Sequence, residues 1–236
     1  MLNNLQFLSF EISPTCNMSN VHSWCPINDP LRYPRHESRV ECSNEAIINF
    51  TKIMYLRGFK GQIAFHYYSD PLMNINRLLY LIQQIRDMVP ASEFILWTNG
   101  ILLNNLSKNW LHIFKQIMIT LHNPKDKDRL QNIVKDFTNV RFHDDVHDDR
   151  LSMYDCQTII KDKCFRPLRL EMPINFYGNV RLCCSEFRGQ VSIGNIQSEN
   201  ADDIIDSFIE AAKSASEGII PICWKCRGLV KNTVVI

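Results

Sequence analysis

Four cysteines in the last third of the chain, Cys164, Cys183, Cys223 and Cys226, have the number and spacing of a metal-binding set. The pair Cys223-Trp224-Lys225-Cys226 puts two sulfurs on one short loop, where both can face the same centre. Gly178 allows a tight turn that returns Cys183 toward Cys164. Four thiolates suit either a structural zinc or a [4Fe–4S] cluster. Cys184 neighbours Cys183 and points the other way along an extended chain, so it falls outside the set. Cys156 reads as a spare ligand or a core residue.

A second group opens the chain. Cys16 and Cys25 bracket a loop that follows Phe7–Ile12, where Phe7, Ser9 and Glu11 alternate with Leu8, Phe10 and Ile12. That alternation predicts a strand. A cysteine loop just past the first strand of an α/β chain can hold a metal centre at the mouth of a barrel, where such folds put their chemistry. The chain has nine cysteines and begins Met1-Leu2-Asn3-Asn4, with no basic region of a secretory signal. An odd count without such a signal argues for metal or redox work in the cytoplasm rather than for disulfides. With 26 basic and 25 acidic residues the net charge is +1, so electrostatics favour neither nucleic acid nor a membrane surface. No run of 18 apolar residues predicts a membrane span.

The elements that must carry these groups alternate. Ser43 reads as the N-cap of a helix whose Ala46, Ile47, Phe50, Ile53 and Met54 share one face. A strand over 62–67 leads to the turn Tyr68-Ser69-Asp70-Pro71. Ile75, Leu78, Leu79, Ile82 and Ile85 mark the clearest helix, stopped by Val89-Pro90. A strand over 94–97 ends at Thr98-Asn99-Gly100; a helix over 103–110 and a strand over 116–121 follow, ending at His122-Asn123-Pro124. A helix over 125–137 and a strand over 140–142 lead to the charged loop His143–Arg150, a solvated or metal-binding stretch beside the pocket. The alternation predicts a parallel sheet with right-handed crossovers, open or curled into a partial (β/α) barrel over residues 1–155. Every motif-like turn sits at the C-terminal, functional edge of a strand. Residues 156–236 read as a last strand at Leu168–Leu170, a hairpin over 173–183 turning at Tyr177-Gly178-Asn179, an extended piece over 190–196 and an amphipathic helix over 202–215. This part is too small to own a large core, and a metal staple would hold it together.

Cysteine, then Gly-x4-Cys, then Cys-x2-Cys resembles the twitch domain of radical S-adenosylmethionine (SAM) enzymes, a shortened relative of the SPASM domain. Leu182-Cys183-Cys184-Ser185-Glu186-Phe187 and Ile193-Gly194-Asn195-Ile196 are similar to that family too, as are the turns Ser69-Asp70-Pro71 and Thr98-Asn99-Gly100. The resemblance implies a partial barrel, SAM, and two [4Fe–4S] clusters, one at the first loop and one at the four C-terminal cysteines. One departure stands out: the family's Cys-x3-Cys-x2-Cys would need cysteines where this chain has Asn20 and Ser23. A rarer Cys-x5-Cys-x2-Cys spacing fits Cys16 and Cys25 and puts His22 in the middle, and imidazole does ligate iron in some clusters. Cys16, His22 and Cys25 are thus the favoured ligands. The alternatives are Cys42 as the third ligand, or a degenerate relative that keeps only the C-terminal iron–sulfur or zinc site and binds a partner.

The resemblance places SAM against Ser69, Asp70 and Pro71, with Thr98, Asn99, His122 and Asn123 near its ribose or carboxylate. It implies hydrogen abstraction from a small polar substrate or a peptide, fed by an external donor such as flavodoxin or ferredoxin. Transfer of an electron to the second cluster gives dehydrogenation. Return of a hydrogen atom by a thiol, Cys42 or Cys184, gives epimerisation.

Overall fold

The computed structural model describes residues 2–21, 25–35, 37, 39–144 and 163–226. Six strands form one parallel sheet: β1 (Phe7–Phe10), β2 (Gln62–Ala64), β3 (Glu93–Thr98), β4 (Phe114–Leu121), β5 (Val140–Asp144) and β6 (Glu171–Ile174). Their spatial order is β5-β4-β3-β2-β1-β6, so the first strand lies between the second and the last. Phe7 is in register with Gln62 on one side and Glu171 on the other. The sheet stays open, and the architecture is the partial (β/α) barrel expected.

Alternation along each strand sorts the two faces. Leu8 and Phe10, Phe94 and Leu96, Ile117, Ile119 and Leu121, and Met172 and Ile174 belong to one buried apolar core. Against them lie the helices α1 (Asn44–Leu56), α2 (Ile75–Met88), α3 (Lys108–Leu111) and α4 (Lys127–Val134). The Ser43 hydroxyl accepts the Ala46 N–H at 3.1 Å, which fixes the start of α1 as expected. Ser9 and Glu171, on the opposite face, meet each other at 3.5 Å. That polar inner face opens toward the C-terminal strand ends, where the site lies.

Two elements differ from the sequence reading. The helix expected over 103–110 is a 3₁₀ turn, Leu103–Asn105, followed by the single turn of α3. Ser107 is extended between them, and Asn104 and Asn105 are weak helix formers. The last strand lies at Glu171–Ile174 rather than Leu168–Leu170, because α5 (Arg166–Arg169) occupies that stretch. Pro167 favours the first helical turn, and Pro173 is tolerated in β6 because β6 is an edge strand.

The final helix, α6 (Ala201–Ser216), is capped by Asn200, whose side chain accepts the Asp202 N–H at 2.8 Å. Its Ile204, Ile205, Phe208, Ala212 and Ala215 join the same core as the barrel helices. The C-terminal part therefore shares an apolar core with the barrel, whatever metal adds. The boundary expected at 155/156 lies outside the described residues.

The hairpin after β6 turns at Gly178, whose φ is +83°. A Cβ there would lie 3.1 Å from Asn195 Oδ1 and 3.2 Å from Cys42 Sγ. Gly178→Ala should therefore destabilise the protein by about 1–3 kcal/mol, read from the urea midpoint.

Candidate metal and cofactor site

Glu11 stands one residue beyond β1, and its carboxylate is buried. Oε1 accepts the N–H groups of Tyr68 at 3.3 Å and Ser69 at 3.2 Å. Oε2 accepts the Phe176 N–H at 3.2 Å and the Tyr33 hydroxyl at 3.4 Å, and it forms an ion pair with the buried Arg32. The Arg32 guanidinium lies over the rings of Tyr33 and Tyr68, at 4.7 and 5.3 Å from their centroids. One carboxylate thus ties the end of β1 to the turn after β2, the turn after β6, and the chain beyond Cys25. A buried charge survives only with such compensation.

Cys16 sits where these turns meet. The Met18 N–H donates to its sulfur at 3.4 Å, and Asn99 Nδ2 approaches it at 3.9 Å. The peptide N–H of Asp70 also acts on it, and Cys25 is close enough to be felt electrostatically. Burial pushes the Cys16 thiol above the ordinary range, against the pull of these donors. Donors from three loops converging on one sulfur are what a cluster-bound thiolate uses. Asn99 Nδ2 also holds Asn17 Oδ1 at 2.7 Å, which fixes the loop. The expected middle ligand, His22, lies outside the described residues.

Asp70 braces this edge from within. Oδ1 accepts the Leu72 N–H at 2.9 Å, and Oδ2 accepts the Thr98 hydroxyl at 2.7 Å and the Asn99 N–H at 2.8 Å. Burial raises its pKa despite those bonds. Pro71 opens the 3₁₀ turn that follows, and Ser69 is buried beside it. Met18, Asn99, Ile101, His122, Asn123 and Asp126 border a recess of about 220 Å³, counting its open mouth. Asn99, His122 and Asn123 are thereby brought together next to the cysteine loop. Cys42 is not: its thiol packs in the main core beneath Gly178, and burial pushes its pKa up to about 12.

The C-terminal cysteines gather at the same end. Cys223, in the 3₁₀ turn Pro221–Lys225, feels Cys164 and Cys226, and Cys183 feels both Cys223 and Cys226. Burial is the largest cause of their raised pKa values, pushing Cys223 up to about 12. Among the described residues no three ligating side chains converge on a single ion. Cys184 lies close enough to Cys183 to act on it electrostatically, and the segment is a turn rather than the strand expected. The Cys184 sulfur accepts from Arg166 Nη2 at 2.8 Å and belongs to a separate apolar cluster with Tyr67, Tyr68 and Phe187, against which Ile27 packs. Cys156 and residues 145–150 of the charged loop lie outside the described residues.

Several residues here went unremarked in the sequence. Glu37 holds Arg181 through two bonds of 2.6 Å, and Asp29 holds Arg188 at 2.6 Å. Both pairs join the stretch after Cys25 to the segment around Cys183. An acid such as Glu11 at the end of a buried strand was a readable signal; the ion pairs, 144 and 159 residues apart, were not.

Residues 164–227 match the SPASM iron–sulfur cluster-binding domain. Together with the relatives that follow, this match supports the reading of a radical SAM enzyme with a SPASM/twitch domain. Over 192 residues it is 26% identical to the S-adenosyl-L-methionine-dependent 2-deoxy-scyllo-inosamine dehydrogenase of Niallia circulans, covering 74% of this chain and 76% of that one. A crystal structure of BtrN in complex with AdoMet and 2-DOIA superposes with a TM-score of 0.70, at 22% identity, over 94% of this chain and 93% of that one. BtrN in an open conformation gives 0.65, at 22% identity, over 94% and 92%. Among the described residues no helix is long and apolar enough to cross a membrane.

Removing Glu11 would strand the Arg32 guanidinium in the interior. Glu11→Ala should cost about 3–5 kcal/mol in urea unfolding, and adding Arg32→Met should recover part of the loss.

Proposed function

We propose that the chain is a SAM-dependent dehydrogenase acting on a small polar alcohol in the cytoplasm. Cys16 and Cys25, with His22 as third ligand, would hold one [4Fe–4S] cluster; Cys164, Cys183, Cys223 and Cys226 would hold a second. The observation that carries the reading is the Cys16 sulfur, ringed by donors from the Met18, Asp70 and Asn99 turns with Cys25 beside it. When bound, SAM at the first cluster supplies a radical that takes a hydrogen atom from the substrate, and the second cluster supplies an acceptor for the electron left behind.

The chain's own residues position and shield. Asp70 fixes the turns after β2 and β3 through its three hydrogen bonds. Asn99, His122 and Asn123 present polar atoms to the recess beside the loop, where the nucleoside part of SAM would lie. Tyr67, Tyr68, Phe187 and Ile27 exclude water between the two cysteine sets, as radical chemistry requires. Dehydrogenation is preferred to epimerisation because the relative that matches over 192 residues is a dehydrogenase. Electrons would come from a flavodoxin or ferredoxin.

The test is iron content and SAM cleavage after anaerobic reconstitution. About eight irons per chain, with 5′-deoxyadenosine formed on reduction, are expected, since each cluster carries four. Cys16→Ala or Cys25→Ala should abolish cleavage and leave about four irons; Cys223→Ala should remove the second cluster. About four irons and no cleavage in the parent protein would favour the degenerate, partner-binding reading.

A further inference from the structure

Two side-chain amides meet beside the Cys16 sulfur. Asn99, in the turn after β3, has its amide fixed at both ends. Its Oδ1 accepts the Ile101 N–H at 3.0 Å, which turns Nδ2 toward the cysteine loop. That nitrogen carries two hydrogens. It donates to Asn17 Oδ1 at 2.7 Å and to Cys16 Sγ at 3.9 Å. A donor of this kind binds a thiolate more strongly than a thiol, because charge-assisted bonds are shorter and stronger.

Asn17 is the second amide. Its Oδ1 takes the Asn99 donor and also accepts from the Cys16 thiol at 3.6 Å. Its Nδ2 is withdrawn from water and has no hydrogen-bond partner among the described residues. Buried donors left open are costly and few in folded chains. This one lies in the cysteine loop, beside the recess that Met18, Asn99 and His122 border, and it suits a group rich in acceptors held at Cys16.

An electron entering an iron–sulfur cluster adds negative charge to its sulfurs, so donors to those sulfurs raise the reduction potential. We propose that Asn99 stabilises charge on the Cys16 sulfur through Nδ2 and thereby sets the reduction potential of the cluster held there, with Asn17 as its brace. Asn99 is thus a positioning residue that acts through the Cys16 ligand. This deepens the reading of the cysteine loop given above and rests on it for the identity of the bound group. The first centre then accepts an electron from a weaker reductant than it would without the amide. A neutral His22 imidazole as third ligand acts in the same direction, since it leaves the centre less negative than a third thiolate. A purely bracing role for Asn99 has the opposite sign. A loosened loop admits water, which stabilises the reduced cluster and raises the potential, whereas a lost donor lowers it.

Two measurements test the proposal. The first is an EPR-monitored redox titration of the anaerobically reconstituted, SAM-free protein, following the signal that SAM perturbs in the parent. Asn99→Leu keeps the volume and excludes water. Asn99→Ser keeps an acceptor for the Ile101 N–H and is too short to reach Cys16. Either variant should move the oxidised-to-reduced ratio at a fixed potential about tenfold toward oxidised, a fall of about 59 mV for a one-electron couple, at unchanged iron content. A potential that stays or rises in both variants overturns the proposal. The second is alkylation of Cys16 by iodoacetamide in the metal-free chain, followed by peptide mass spectrometry at one pH. Donation to the sulfur favours the reactive thiolate, so the variants should react several-fold more slowly. Unchanged or faster alkylation in both, as a loosened loop would give, also overturns it. A parent protein with no SAM-responsive signal removes the dehydrogenase reading; the alkylation rates then decide the Asn99 donor by themselves.

Discussion

The pairing of Glu11 with Arg32 is the constraint on which the mouth of this barrel depends. Neither charge can reach water, so each is tolerable only while the other stays in place. The carboxylate is further bound to peptide groups from the turns after β2 and β6. Those contacts carry no side-chain specificity at their far ends, so they fix backbone position. The Cys16 loop is thereby mounted on a rigid frame. The peptide N–H of Asp70 reaches the Cys16 sulfur from the same turn that Glu11 anchors at Tyr68 and Ser69.

A single stretch of chain then links the two cysteine sets. Residues 29–37 follow Cys25 directly and send Asp29 to Arg188 and Glu37 to Arg181. The Tyr33 and Tyr177 rings meet edge to face at 4.8 Å between them. Ion pairs exposed on a surface would add little, as with Arg57 and the aspartates of α6. Arg181 with Glu37 is different, because the guanidinium is withdrawn from solvent and bound in a bidentate fork. The barrel mouth and the C-terminal segment are joined by geometry, beyond the apolar core they share through α6.

The alternating elements were legible because their apolar residues repeat at the periods of strand and helix. Ser43 and Asp70 announced themselves as cap and turn residues for the same local reason. The C-terminal cysteine spacing was legible as that of the iron–sulfur cluster-binding domain that residues 164–227 match, since such spacing is itself a local property. The breaks came where neighbours decided the outcome: Ser107 divides an otherwise helical run, and Pro173 sits in a strand because that strand lies at the sheet edge. The polar network around Glu11, Arg181 and Glu186 was invisible, because its members lie far apart along the chain and meet only after folding. Cys42 reads as reactive in a list of cysteines and is a core residue in space.

The position of β1 has a consequence for biosynthesis. The strand that carries the first cysteine loop is flanked by β2 and by β6, and β6 is made more than 160 residues later. Phe176, which supplies one of the hydrogen bonds to Glu11, and Arg181, which anchors Glu37, leave the ribosome later still. A nascent chain ending before residue 170 has the Cys16 loop but not its mounting. The frame around the Cys16 loop is therefore completed only after the segment that carries Phe176 and Arg181 has been made.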